Sequence, residues 1–249
     1  MHRTLPVVLA CALAALALPA AAADRPLSYT YVEAGYSQTR IDGLGDVLDS
    51  DELDGYSGTI SYGHSNGMLL FVTYGTRSKD ARYEDVDFSA EGDLDLDHFR
   101  AGIGYAFGLS DSADWVTKFA YESATLGVNA SADYLDENDL PATGSLSGEI
   151  EADAYTLETS VRARLGSRFT GYVGAGYIRV DDPTVKPVTI DGETFEGGSI
   201  DLDDIGADRT ETYGLVGLEL NIGGSWSLVG QGRVASDVKD YFVGIRSSL

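Results

Sequence analysis

An all-β fold, a single antiparallel up-and-down β-barrel that crosses a membrane with about ten strands, is what this sequence predicts; eight strands remain the alternative. Three observations predict it. Apolar and polar residues alternate with period two in segment after segment, and no stretch sustains the spacing of an amphipathic helix. Glycine is abundant, 30 of 249 residues, and it accompanies aromatic residues rather than the 6 prolines. The connections are short and long in turn, which is the wiring of a barrel whose two rims face different compartments.

The first residues read as an address. A short positive start, Met1 to Thr4, precedes an almost unbroken apolar run from Leu5 to Leu18, and Pro19 breaks it before four alanines. Ala21 and Ala23 match the small-residue rule of signal peptidase. Residues 1–23 are therefore expected to be a Sec signal peptide, cut between Ala23 and Asp24. Cys11 loosely completes a lipobox with Val8, Leu9 and Ala10, but residues 12–23 stay apolar where a lipoprotein would turn polar. The barrel domain is then 24–249, exported from the cytoplasm, without cysteine. It has no apolar run near the ~18 residues of a membrane helix.

Ten alternating segments follow, at about 28–40, 55–64, 68–78, 95–107, 115–130, 151–165, 169–181, 209–222, 226–236 and 241–249. One face of each is apolar or aromatic. In the third it is Met68, Leu70, Val72 and Tyr74; in the fourth, Phe99, Ala101, Ile103, Tyr105 and Phe107. The fifth gives Trp115, Phe119 and Tyr121, and the sixth Tyr155, Leu157, Val161 and Leu165. The eighth gives Val216, Leu218, Leu220 and Ile222, and the tenth Tyr241, Val243, Ile245 and Leu249. Short turns at 65–67, 108–113, 166–168 and 223–225 carry the glycine or asparagine that tight hairpins need. Long connections are read at 41–54, 79–94, 131–150 and 182–208, with a short last one at 237–240.

Charge sharpens the picture. Asp and Glu number 40 against 17 Lys and Arg, a net charge of −23 that would repel nucleic acid, so no such partner is expected. The long connections and their flanks hold 33 of those 40 acids, so the acidity belongs to one rim, which is placed outside the cell. The faces opposite the apolar ones carry Glu33, Arg100, Lys118, Glu122, Glu158, Arg162, Arg164, Glu219, Arg233 and Arg246. A narrow barrel must fill its lumen with side chains, and mixed charges can pair there. Outward faces nearly free of charge suit lipid and argue against the rival reading, a soluble β-sandwich with polar outer faces. Trp115, Phe169 and Trp226 each open a strand after a short turn, as one interfacial girdle would require.

Three strands carry a resemblance. The opening Tyr29, Tyr31, Glu33, Gly35 and Tyr36, the Phe99, Arg100, Gly102, Gly104 and Tyr105 strand, and the closing Tyr241 to Arg246 resemble the small outer-membrane β-barrels of Gram-negative bacteria. The type is that of the opacity proteins and the transmembrane part of outer-membrane protein A. More narrowly, the strands are similar to the xanthomonad barrels once described as activators of plant immunity. The resemblance covers the strands and not the long connections. It implies location in the cell outer membrane, contact with its lipid and lipopolysaccharide, insertion by the barrel machinery, and a monomer. One departure is the end of the chain, Ser247, Ser248 and Leu249, where such barrels usually place the Phe or Trp that the insertion machinery reads.

No catalytic residue and no cofactor is expected. Of the histidines, His64 abuts a short turn and reads as solvated, while His98 lies near the outer end of its strand. A barrel hydrolase would need a carboxylate to orient His98, and the adjacent Asp97 points to the opposite face. Asp93, Asp95 and Asp97 share one face of a strand extension and form a weak candidate for a cation shelf, against the plainer reading of a solvated acidic rim. The function expected is structural or surface-interacting, through acidic extracellular loops. A narrow low-conductance channel is the alternative, and a barrel enzyme acting on envelope lipid or protein comes third.

Overall fold

Period-two alternation pairs each segment with its chain neighbours, and the last segment returns to the first. The computed structural model describes residues 27–42, 51–85, 88–135, 141–202 and 208–249; the expected cleavage site at Ala23 and Asp24 lies outside them. The first seven strands are β1 (Tyr31–Ile41), β2 (Glu52–Gly63), β3 (Met68–Asp85), β4 (Phe88–Ser110), β5 (Ala113–Leu135), β6 (Pro141–Leu165) and β7 (Phe169–Val180). Four short strands follow, β8 (Thr184–Val185), β9 (Val188–Ile190), β10 (Glu193–Phe195) and β11 (Gly198–Ser199). The chain ends with β12 (Thr210–Gly223), β13 (Trp226–Val234) and β14 (Val238–Ser248). Strands β1 to β7 and β12 to β14 form a closed antiparallel barrel of ten strands, with β7 against β12 and β14 against β1. At the closing seam Glu33 stands opposite Arg246.

The tight turns lie at one rim. Gly67, Gly166 and Gly224 take positive φ there, 102°, 85° and 60°, where a side chain would strain the backbone. At the same rim Leu27, Tyr29, Leu69, Ala106 and Val116 form a buried apolar cluster beneath the lumen.

The other rim departs from the sequence reading. Most of 79–94 and 131–150, read as loops, continues β3 to β6 as strand; 86–87 and 136–140 lie outside the described residues. The 182–208 connection holds β8 to β11. Two of these strands dock on the outer end of β6, Val185 opposite Ile150 and Ile190 opposite Leu146. Strand β6 has 25 residues, roughly 80 Å at ~3.3 Å per residue, where crossing a membrane takes ~9–11.

The physical reason is an inversion of polarity along each strand. From Phe99 to Phe107 the outward residues of β4 are apolar and the inward ones are Arg100, Gly102, Gly104 and Ala106. Two residues outward of Phe99 the pattern flips. Asp97, Asp95 and Asp93 face out, while Leu96 and Leu94 face in, Leu94 buried. The same flip falls between Tyr121 and Ser123 on β5 and between Tyr155 and Asp153 on β6, with Leu126, Val128 and Ile150 turned inward above it. Lipid rewards an apolar exterior, whereas water rewards an apolar interior. One set of strands therefore builds a membrane storey and, above it, a water-facing storey.

Candidate functional site

Two features carry chemistry: the lumen and the outer rim. In the lumen, inward positions of seven strands bring carboxylates and guanidinium groups into contact. Arg246 on β14 donates through Nε and Nη2 to Glu33 on β1 (2.9 and 2.6 Å) and through Nη1 to Glu219 on β12 (2.9 Å). Arg162 on β6 donates to the same Glu219 oxygen at 2.8 Å and to the Ser28 carbonyl at 2.8 Å. Nearer the outside, Arg100 lies 2.6 Å from Glu158 and 3.1 Å from Glu122, and Glu122 also meets Arg233 at 3.1 Å and His98 Nε2 at 3.2 Å. Every one of these groups but His98 and Arg233 is at least four-fifths buried in its side chain.

Tyrosines finish the packing. Tyr213 donates to Glu158 (3.0 Å), Tyr172 to Gln231 (2.8 Å), and Gln231 in turn to Glu33 (2.7 Å). Guanidinium groups lie over the rings of Tyr31 (Arg246, 3.9 Å) and Tyr213 (Arg233, 4.1 Å). Tyr213 and Tyr172 lie flat against the barrel wall because the residues opposite are Gly176 and Gly217, whose places no side chain could take without striking a ring. Paired charge at this density narrows the cross-section of the membrane storey, and the pairs offset the cost of removing them from water only because both partners are present.

The ten charges expected in the lumen are thus placed as follows. Glu33, Arg100, Glu122, Glu158, Arg162, Glu219, Arg233 and Arg246 form the network. Lys118 is inside but stands over the Phe71 ring at 5.3 Å, and Arg164, on the same face as Arg162, is exposed at the tight-turn rim. Four further groups face the lumen beyond those ten. Asp114 accepts from Tyr29 (2.9 Å), Asp240 from Thr39 (2.6 Å), Arg77 is buried, and His98 turns inward to Glu122. Parity was the available signal, since Arg77 shares its face with Leu69 and Phe71 and His98 shares its face with Arg100. Among the described residues the lumen keeps two cavities, an inner one of about 200 Å³ and an outer one of about 420 Å³, and Arg77 lines both.

At the outer rim a pattern repeats. Tyr36, Tyr74 and Tyr121 face out and donate to Asp54, Asp97 and Asp153, each on the next strand and two residues further out. The ring lies in the apolar band and the hydroxyl meets the first acid above it, so the three pairs mark the lipid–water boundary. Trp115, Phe169 and Trp226 mark the other boundary, half-exposed beside the tight turns. Asp93, Asp95 and Asp97 do share the outward face of β4, and among the described residues no group of three or more His, Cys, Asp or Glu is arranged to hold a metal. His64 is exposed and accepts the Asn66 amide in its turn.

The small outer strands are tied down by charge. Arg209 lies 2.8 Å from Asp182 and 2.8 Å from Asp201, and the Leu202 amide also donates to Asp182. Arg209 holds the Asp182 carboxyl below its usual range. A depressed carboxylate stabilises above its unfolded value of about 3.9 and loses that contribution as pH falls through the folded value. Carbon NMR titration of Asp182 is expected to give a midpoint below about 3.9, moving up in Arg209→Gln; an unmoved midpoint would remove Arg209 as the cause.

With this geometry in view, comparison decides the family. The profile described as outer membrane protein beta-barrel domain matches residues 8–139. The chain belongs to that family. It is an outer-membrane protein. Among curated proteins none matches. Among solved structures, the outer membrane protease OmpT from Escherichia coli is similar at TM-score 0.53 and 10% identity, over 90% of this chain and 97% of that one. The NanC porin aligns at TM-score 0.44 and 7% identity, over 88% of this chain and 100% of that one. Ail, the attachment invasion locus protein of Yersinia pestis, aligns at 0.36 and 10%, over 89% and 99%. The OmpT likeness supports the ten-strand barrel and nothing finer, because a barrel of this kind assigns no activity by itself.

Proposed function

We propose that this outer-membrane barrel acts through its outer storey, a rigid acidic platform that meets cationic or cation-bridged surfaces outside the cell, and that it works as a monomer set in lipid and lipopolysaccharide. The observation that carries the reading is the inversion of polarity. It commits four long strands to a structure that lipid does not need, and it turns the carboxylates outward. Acids presented on paired strands stand at fixed spacing, so the platform keeps its charge pattern when a partner arrives. Neutralising Asp93, Asp95, Asp97, Glu149, Glu151 and Asp153 to their amides is expected to reduce binding of whole cells to a cationic surface while the folded barrel still reaches the outer membrane. Undiminished binding would sink the reading.

A narrow channel is the second reading, favoured by the two cavities that meet at Arg77. The ion pairs that fill the lumen limit it. In planar bilayers the barrel is expected to show no steps on the nanosiemens scale; such steps would mean that the network opens and would displace the platform as the main function.

A further inference from the structure

We propose that the lumen holds a small oxyanion beside Arg77, at the junction of the two cavities. This cation stands outside the ion-pair network. Glu33, Glu122, Glu158 and Glu219 are in contact with Arg100, Arg162, Arg233 and Arg246, four acids with four bases. Arg77 is only 9% exposed, and its Nε has no hydrogen-bond partner. No carboxylate among the described residues lies within ion-pair distance of it. Asp240 lines both cavities with it, acts on it without contact, and accepts from Thr39. Lys118, lining the same inner cavity, has a ring beneath it and no carboxylate in contact.

A buried guanidinium nitrogen without a partner is costly, and such groups in folded proteins almost always have one. An oxyanion supplies what is missing, since two oxygens match the planar fork of arginine. Access is from outside. The outer cavity of about 420 Å³ leads down to Arg77, and Arg77 also lines the inner cavity of about 200 Å³. That inner space equals several waters at ~30 Å³ each, enough for inorganic phosphate or a short carboxylate. The acidic rim opposes arrival, but its field is screened beyond ~8 Å at physiological salt.

The test uses the refolded mature barrel in amine-oxide micelles, which carry no phosphate, with inorganic phosphate as the probe and its phosphorus NMR line as the readout at physiological salt. Saturable broadening is expected with the native protein. The Arg77→Gln, Lys118→Gln double variant is expected to weaken binding about ten-fold or more, whereas Arg168→Gln, a substitution in an exposed turn, leaves it unchanged. Folding of each variant is checked by its heat-dependent gel mobility. If Arg77→Gln folds poorly, Arg77→Lys keeps the charge without the fork and is expected to weaken binding a few-fold. No saturable broadening with the folded native barrel would mean that water alone fills the site, and broadening that survives in the double variant would place any anion elsewhere; either overturns the proposal. The outcome is independent of whether the outer platform binds cationic surfaces.

Discussion

Arginine in place of Ile103 is expected to destabilise the folded barrel by about 2–4 kcal/mol, whereas arginine in place of Asp95 changes it by no more than about 0.5 kcal/mol. The two positions lie on the same strand and the same face, and both side chains point away from the barrel axis. Only their level differs. Ile103 is half-exposed in the middle of the apolar band between Phe99 and Phe107, where a guanidinium must be dragged from water into hydrocarbon. Asp95 stands above the Tyr74–Asp97 boundary, among other acids that a cation would relieve of repulsion. Urea unfolding of the refolded barrel in lipid vesicles measures both. Equal costs would mean that the polarity inversion does not track the membrane surface.

The second large effect lies in the lumen. Removing the Glu122 carboxylate as Glu122→Ala leaves Arg100, Arg233 and His98 facing a void, and the loss is expected to reach about 3–5 kcal/mol. Most of that cost is the burial of cations whose partner is gone, because Arg100 keeps only Glu158 and Arg233 keeps no carboxylate contact. Arg82→Ala is the contrast. Its pair with Glu91 spans 3.4 Å with both side chains about two-thirds exposed, and its loss is expected to stay below about 1 kcal/mol. The same unfolding assay separates the two, and a Glu122→Ala cost no larger than that of Arg82→Ala would contradict the account of the lumen.

How much of this was legible in the sequence depends on which storey is considered. In the membrane storey the outward residues from Met68 to Leu249 were readable by parity alone, because lipid imposes one polarity on one face. The inward charges were readable for the same reason. Their partners were not, since pairing depends on shear and on which strands face one another across the lumen. Arg233 on β13 finds Glu122 on β5 across the lumen, a contact that no local pattern encodes. The water-facing storey was misread. Between Asp80 and Asp97 the alternation persists as Ala90, Gly92, Leu94 and Leu96 against Glu91, Asp93, Asp95 and Asp97, but acids and glycines dominate and the apolar residues have changed faces. Reading one polarity along a whole strand turns such a stretch into a loop. Following the period rather than the polarity would have extended β3 to β6, and would also have put Arg77 and His98 inside.

The most direct test of the two-storey barrel is a single-cysteine scan along the outward face of β4. The chain's one cysteine is Cys11, in the expected signal peptide, so each variant of the mature barrel carries a single thiol. An environment-sensitive fluorophore placed in turn at 91, 93, 95, 97, 99, 101, 103, 105 and 107 of the refolded barrel in lipid vesicles reports water or hydrocarbon at each position. The account predicts water at 91 through 97, hydrocarbon from 99 onward, and the change of sign between 97 and 99. Water at every position, or hydrocarbon continuing through 95 and 93, would contradict it.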